Sequence, residues 1–370
     1  MLNRRTAVLA AVGLAGAPAA GCAIVRQEPD VPAVAGVAAQ SASSTPTPTP
    51  TPTPSPSATA TPVAPLTGKP VAQALTHAAV AVKVSDVQSA HPQAGLNSAD
   101  IVFAEPNGVS YIRLCAVFHS SLPELVGPVR SIRPVDVPLL SPLKPVFGNT
   151  AAALWVMNYV ASFSRYIENL YSFKAGVHGT QAYYTMPHRF RVHSVFCRPE
   201  ELRKLAKRNK AAPAEPYLPF AVGDEEPSTA SSTRAARTVS VPWGPGNTWN
   251  TSYHYDADKG KYLRNEPWGP HVLVDGKRVV TDNVLVIRAK WKMDKIFHGG
   301  GELDPVVNII NATGTFYYAH GGTYVKGHWS KGAVNELFQF TLEDGTPLKI
   351  APGRTFIELP QVDAKIRFTA

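Results

Sequence analysis

The side chains best placed to do chemistry are gathered early: Glu105, Arg113, Arg130, Arg133 and Asp136 all fall within or just after the run Ala99–Arg133. Carboxylates can serve as general acid and base, and arginines can clamp a phosphate or carboxylate with paired N–H groups. Two β-branched and aromatic runs, Ile101–Glu105 and Tyr111–His119, flank Pro106-Asn107-Gly108, which is a hairpin signal. Alternation along the second run puts Tyr111, Arg113, Cys115, Val117 and His119 on one face, and Ile112, Leu114, Ala116 and Phe118 on the other. Arg113 therefore points to the less greasy side, where Glu105 can reach it across the hairpin. The pair is either a cross-strand ion pair worth about 0.2–1 kcal/mol or a Glu/Arg couple in a pocket.

Arg130 and Arg133 follow Gly127-Pro128. If Pro128 opens a helical turn, the two guanidiniums stack on one face and can clamp an anion beside free backbone N–H groups. Pro134 opposes a helix at Arg133, and in an extended chain a spacing of three sends the side chains to opposite faces. His188, Arg189, Arg191 and His193, from the basic run MPHRFRVH, can complete a cationic pocket or form a solvated patch.

Other catalytic signals are weak. Cys115 and His119 on one strand stand roughly 13 Å apart, too far for proton transfer. Gly-x-Ser-x-Gly, Ser-x-x-Lys and HExxH are absent, as are a P-loop and a dinucleotide fingerprint. Cys197 near His193 reads as a core cysteine. The eleven histidines show no ligand spacing, so no metal and no cofactor is expected. Asp256-Ala257-Asp258-Lys259-Gly260 starts like a calcium loop but lacks the later acidic ligand and reads as a hairpin turn. His298-Gly299-Gly300-Gly301 is either an anion nest or a mobile loop. Five of the six tryptophans lie beyond residue 240; they are either the core and cross-strand pairs of a sheet or a sugar-stacking platform, for which Trp243, Trp249 and Trp268, in Pro/Gly-rich surroundings, are the candidates for exposure.

The run SADIVFAE, the small-residue turn before Tyr-Ile-Arg, the following Ala-Val-Phe and the closing GPVRSIR resemble the N-terminal domain of the YerB-like lipoproteins, a family carrying domain of unknown function 3048. Val192-His193-Ser194 stands where that family has Pro-His-Asn, and Tyr262-Leu263-Arg264 where it has Tyr-x-Arg. Asp282–Val286, Lys326–Lys331 and Pro352–Ile357 resemble its C-terminal domain. The resemblance implies a bacterial, extracytoplasmic, two-domain lipoprotein and no established catalytic residue. The departures at Val192 and Ser194 weaken any role needing an asparagine amide there.

The start of the chain agrees. Asn3-Arg4-Arg5-Thr6 and the Ala/Val/Leu run to Ala20 have the charged start and short apolar core of an export signal; one Arg pair only hints at the twin-arginine route. Ala19-Ala20-Gly21-Cys22 resembles a lipobox in which Cys22 is acylated, with alanine in place of the usual leucine; cleavage near Ala17-Pro18-Ala19 would instead release a secreted protein. The net charge of +9 falls to +7 without Arg4 and Arg5, an excess that suits an anionic envelope surface better than nucleic acid in an exported protein. Once Cys22 is used, Cys115 and Cys197 remain, either as a disulfide or as two buried thiols.

Residues 23–65 form a Pro/Thr-rich tether; at about 3.1 Å per residue its dozen most regular residues reach roughly 40 Å. Residues 66–210 are expected to form an N-terminal domain, 211–239 a linker and 240–370 a β-rich C-terminal domain. Helices are expected over Ala151–Tyr171, from its apolar periodicity, and from Pro199 to Lys210, from its charges. The fold class is α+β with two domains, the first mixed α/β around a hairpin-centred sheet and the second mainly antiparallel β. The expectation is a protein anchored to the outer face of the bacterial membrane that binds an anionic envelope polymer or a small anionic ligand without catalysis, through Glu105, Arg113, Arg130, Arg133 and His193. The alternatives are a cell-wall glycopolymer hydrolase or transferase using Glu105 or Asp136, and a structural partner of another envelope protein.

Overall fold

Every residue of Val80–Ser85 is buried, including Lys83, so this strand must be covered on both faces. It sits inside a mixed sheet that organises the chain. The computed structural model describes residues 61–109, 111–244 and 249–370; the export leader, Cys22 and nearly all of the tether lie outside them. In chain order the strands are β1 (Val80–Ser85), β2 (Ile101–Asn107), β3 (Tyr111–Phe118), β4 (Val146–Gly148), β5 (Glu168–Asn169), β6 (Tyr183–Thr185), β7 (Val195–Cys197), β8 (Thr238–Trp243), β9 (Trp249–Asp256), β10 (Lys261–Glu266), β11 (Gly269–Pro270), β12 (Val280–Thr281), β13 (Asn283–Arg288), β14 (Trp291–Asp294), β15 (Asp304–Val307), β16 (Ala312–His320), β17 (Thr323–Lys331), β18 (Gln339–Leu342), β19 (Thr355–Glu358) and β20 (Arg367–Thr369). Among the described residues three short α-helices interrupt them: α1 (Asp136–Leu140), α2 (Leu154–Ser162) and α3 (Pro199–Lys204).

Among the described residues ten strands form one sheet in the order β18-β17-β16-β13-β19-β2-β3-β1-β4-β5. The late strand β19 lies parallel to both β13 and β2, pairing Thr355 with Ile101 and Glu358 with Ala104. The early and late halves of the sequence thus share strand partners. A second, antiparallel sheet, β11-β10-β9-β8-β20, packs on the first: the Trp243 indole of β8 donates to Glu358 Oε2 of β19 at 3.0 Å. The segment 211–239 follows the edges of this body, with Ala221 N donating to Ile350 O at 2.8 Å and Tyr324 N to Arg234 O at 2.9 Å. No helix among the described residues is long and apolar enough to cross a membrane.

The hairpin forms in the expected place, but β2 runs on through Pro106 and Asn107, and the turn begins at Gly108, whose φ is +68°. The α-helices are shorter than their periodicity suggests. The first ends at Ser162, because the chain turns back through Phe163–Tyr166 to place Glu168 in the sheet. The second ends at Lys204: beyond it, the backbone N–H groups of Lys207, Arg208 and Asn209 donate to the Glu168 carboxylate at 2.8, 2.9 and 2.8 Å. Here the chain closes around an anion of its own instead of continuing as a helix.

The glycine run at 299–301 is a packing device. A Cβ on Gly299 would lie 2.8 Å from Trp155 N, and one on Gly301 2.5 Å from Ala153 Cβ, so only glycine lets this loop lie on the start of α2. Asp256–Gly260 is the β9–β10 hairpin turn, with Gly260 at φ +62°. Cys115 and Cys197 are both free and buried, which removes the disulfide alternative. The tryptophan platform is not present as such: Trp243 is buried, and Trp249 and Trp268 are half-buried and packed edge to face at 5.3 Å.

Candidate functional site

The register of β1, β2 and β3 sets the site. Glu105 faces Arg113, and Arg113 faces Ser85; two pairs further along, Phe103 faces Cys115 and Cys115 faces Lys83. Directly opposed residues share a face, so Lys83, Glu105, Arg113 and Cys115 all project to the same side. Above them lie Ser131–Arg133, α1 and the start of β15.

Glu105 and Arg113 are cross-strand neighbours as expected, but they do not pair. The Lys83 ammonium takes the Glu105 carboxylate, and it also donates to Asp136 Oδ1 at 2.8 Å, with all three side chains fully buried. Burial lowers the Lys83 pKa, but Asp136 and Glu105 outweigh it and hold it above the ordinary lysine value. Burial and then the charge of Asp136 push the Glu105 carboxyl well above the usual carboxylate range, against the pull of Lys83. Asp136 Oδ2 also accepts from Arg133 N at 2.6 Å. The two acid/base candidates are thereby held by one buried lysine and present no proton to solvent. Cys115 beside them is kept a thiol, because burial and Asp136 raise its pKa well above the ordinary value.

The arginines lie on the solvent side of this triad. Residues 128–133 do not form the helical turn that would have stacked Arg130 on Arg133; α1 begins only at Asp136. The two side chains come together in another way, around Arg113. Arg113 is buried and donates from Nη1 to Ser131 O at 3.0 Å. Burial, then the charges of Arg133 and Arg130, hold its pKa well below the usual arginine value. Arg130 donates to Val192 O at 3.0 Å, and its buried Nε has no partner among the described residues. Arg133 donates to Asn107 Oδ1 at 2.6 Å and pairs with Asp304 at 3.1 Å. Asp304, through Arg133 alone, is the one carboxylate bonded to any of these three guanidiniums among the described residues.

His193 belongs to the same cluster. Its Nε2 lies 3.1 Å from Ser89 Oγ, its buried Nδ1 has no partner among the described residues, and burial followed by Arg130, Arg189 and Arg113 depresses its pKa. Arg189 is spent instead on the carbonyls of Ala90 (3.0 Å) and Pro92. So Arg113, Arg130, Arg133 and His193 come together, while Glu105 faces inward to Lys83.

Sequence reasoning missed a second buried cluster. On the opposite face of the sheet Arg264 of β10 bonds Asp86 Oδ2 at 2.8 Å, His271 Nδ1 at 2.7 Å and Glu266, while His271 Nε2 donates to Gln93 Oε1 at 2.7 Å. Ligand atoms of Asp86, His91, Glu266 and His271 lie within 4.8 Å of one another, as do those of Glu105, Cys115 and Asp136. Both sets have metal-ligand chemistry. Each has a side-chain cation among its donors, Arg264 in one and Lys83 in the other, so a metal would have to displace a buried base. Asp86 and Arg264 are 178 residues apart, so although Tyr262-Leu263-Arg264 marks Arg264 in the sequence, no local pattern could reveal its partners.

Family models for a protein of unknown function, DUF3048, match both halves: the N-terminal domain over residues 66–212 and the C-terminal domain over 239–357. The chain belongs to the DUF3048 family. It is 27% identical over 309 residues to YerB of Bacillus subtilis (strain 168), a protein whose name carries the designation lipoprotein, covering 81% of this chain and 87% of YerB. The crystal structure of Bacillus subtilis YerB has the same fold, with a TM-score of 0.67 at 24% identity over 82% of this chain and 99% of that one. As a YerB-like protein, the chain is extracytoplasmic and membrane-associated.

Proposed function

We propose that this YerB-like protein is a non-catalytic receptor for an anionic group of the cell envelope, a phosphate or carboxylate, held by Arg113, Arg130, Arg133 and His193. One observation carries the reading: Arg113 is buried among cations, with a carbonyl as its bonded acceptor and a strongly depressed pKa. Placing three guanidiniums together costs free energy that an anion returns, and charge-assisted contacts to guanidinium are the strong ones. Acylation of Cys22 would anchor the chain, and the tether would carry this site away from the membrane surface. Glu105 and Asp136, both bonded to Lys83, favour binding over hydrolysis or transfer.

The test is binding of purified anionic wall glycopolymer at low and moderate salt, beside an Arg130→Ala/Arg133→Ala variant. Saturable binding that the variant loses supports the site. Equal binding by both proteins, erased by salt, would reduce the basic excess to diffuse surface charge.

A further inference from the structure

The arginine site has apolar borders. Tyr111 lies two residues from Arg113 on the same face of β3 and directly opposite Asn107, whose side chain accepts from Arg133. The residue is 50% exposed, yet its ring is held in place: Trp249 packs edge to face against it at 5.2 Å, Trp268 against Trp249 at 5.3 Å, and His91 against Trp268 at 4.9 Å. On the other side of the cluster Val192, whose carbonyl receives Arg130, is exposed, and so is Phe190. The row returns to the cluster at its far end, since His91 lies two residues from Ser89, the partner of His193.

We infer that Tyr111 is the sugar-contacting edge of this site, so that the ligand is an anionic saccharide, a phosphorylated or carboxylated sugar, and not a bare anion. The inference rests on the anion-binding reading above and adds the class of molecule to it. Recognition follows from chemistry already in place. A sugar offers a C–H face to a flat ring, and the ring needs one side free and its orientation fixed beforehand, since ordering it on binding would weaken the complex. Tyr111 has its free side, and Trp249 fixes the orientation. The arginines then take the charged substituent. The exposed apolar groups around the cluster, Tyr111 on one border and Val192 and Phe190 on the other, are separate side chains on different segments, which suits a compact sugar ring better than a long acyl chain.

Calorimetric titration of the purified protein with glucose 1-phosphate and with inorganic phosphate tests it. The expected result is tighter binding of the sugar phosphate, by roughly tenfold. The ratio of the two affinities should fall to near one in Tyr111→Ala, a substitution at an exposed ring that leaves the core untouched. Trp249→Leu, which frees the ring, should lower the ratio part of the way. Equal affinities in the unaltered protein, or a ratio unchanged in Tyr111→Ala, would overturn the saccharide inference and leave the anion site standing. Binding of neither compound by a folded protein would overturn both. Vesicles containing phosphatidylglycerol form the last arm: binding to them, without binding to the sugar phosphate, would assign the site to a lipid headgroup and overturn the saccharide.

Discussion

Lys83 Nζ lies 2.8 Å from Asp136 Oδ1, and neither side chain reaches solvent. Glu105 completes the triad, so one buried cation serves two carboxylates across three elements of the fold. Removing the lysine strands both. Lys83→Met should lower stability by about 3–5 kcal/mol in guanidinium unfolding. Glu105→Gln should cost about 1 kcal/mol or less, because burial and Asp136 already push that carboxyl toward its neutral form, and an amide oxygen still accepts from Lys83. Equal losses in the two variants would show that Glu105 is a full ionic partner.

Glu168 is tied to three consecutive backbone N–H groups. Burial alone would raise its pKa, but these donors outweigh it and hold the carboxyl below its ordinary value. A depressed carboxylate contributes stability that is present above the unfolded pKa, about 4.3, and is lost as pH falls through the folded value. Glu168→Ala should destabilise by about 2–3 kcal/mol at neutral pH, and the gap between variant and parent melting temperatures should close on acidification.

His119 titrates in the other half of the acid range. Burial lowers its pKa to about 4, although its Nε2 lies 2.9 Å from the His77 carbonyl and donates there. Its Nδ1 is buried without a partner among the described residues, so a second proton would have no acceptor. The unfolded chain protonates this histidine near 6.5 and the folded chain does not. Stability is therefore complete above pH 6.5 and falls toward pH 4, by roughly 1–2 kcal/mol after allowance for solvent screening. His119→Gln should flatten that part of the profile.

Anion binding should take up a proton at His193. In the free protein burial and the neighbouring arginines depress this imidazole; an anion among those arginines cancels their repulsion and restores its basicity. Sulfate keeps one charge state across this range and is the clean probe. Its affinity should rise by roughly three- to tenfold between about pH 7.5 and 5.5 and stay level in His193→Gln. An unaltered slope in the variant would assign the proton to another group.

The hairpin was legible because alternation, β-branched content and a glycine turn agreed over Ile101–Phe118, and the observed register follows that alternation. The β-rich character of the C-terminal half was legible for a similar reason, since the apolar runs that form β16, β17, β18 and β19 each lie beside Gly321-Gly322, Asp344-Gly345 or Pro352-Gly353. The turn at Asp256–Gly260 was legible but its strands β9 and β10 were not, since WNTSYHYD and KYLRNE carry polar residues at more than half their positions. Lys83 left a signal that local reasoning passes over: a lone lysine in VAVKVS, a strand too apolar to be an edge, needs a buried carboxylate somewhere. Which carboxylate it takes depends on α1, 53 residues later. The convergence of Arg130 and Arg133 on Arg113 was likewise beyond spacing rules, because a chain with no regular secondary structure brings them there.

The pairing of β19 with β2 makes the two family segments complementary halves of one object. A chain cut between residues 211 and 239 would leave Ile101–Ala104 on one fragment and Thr355–Glu358 on the other, each an apolar strand edge stripped of its neighbour. Such pieces would aggregate when made singly and reassemble when made together. A cut there should therefore yield a complementing pair, with the arginine cluster on one piece and Asp304, the carboxylate that pairs with Arg133, on the other.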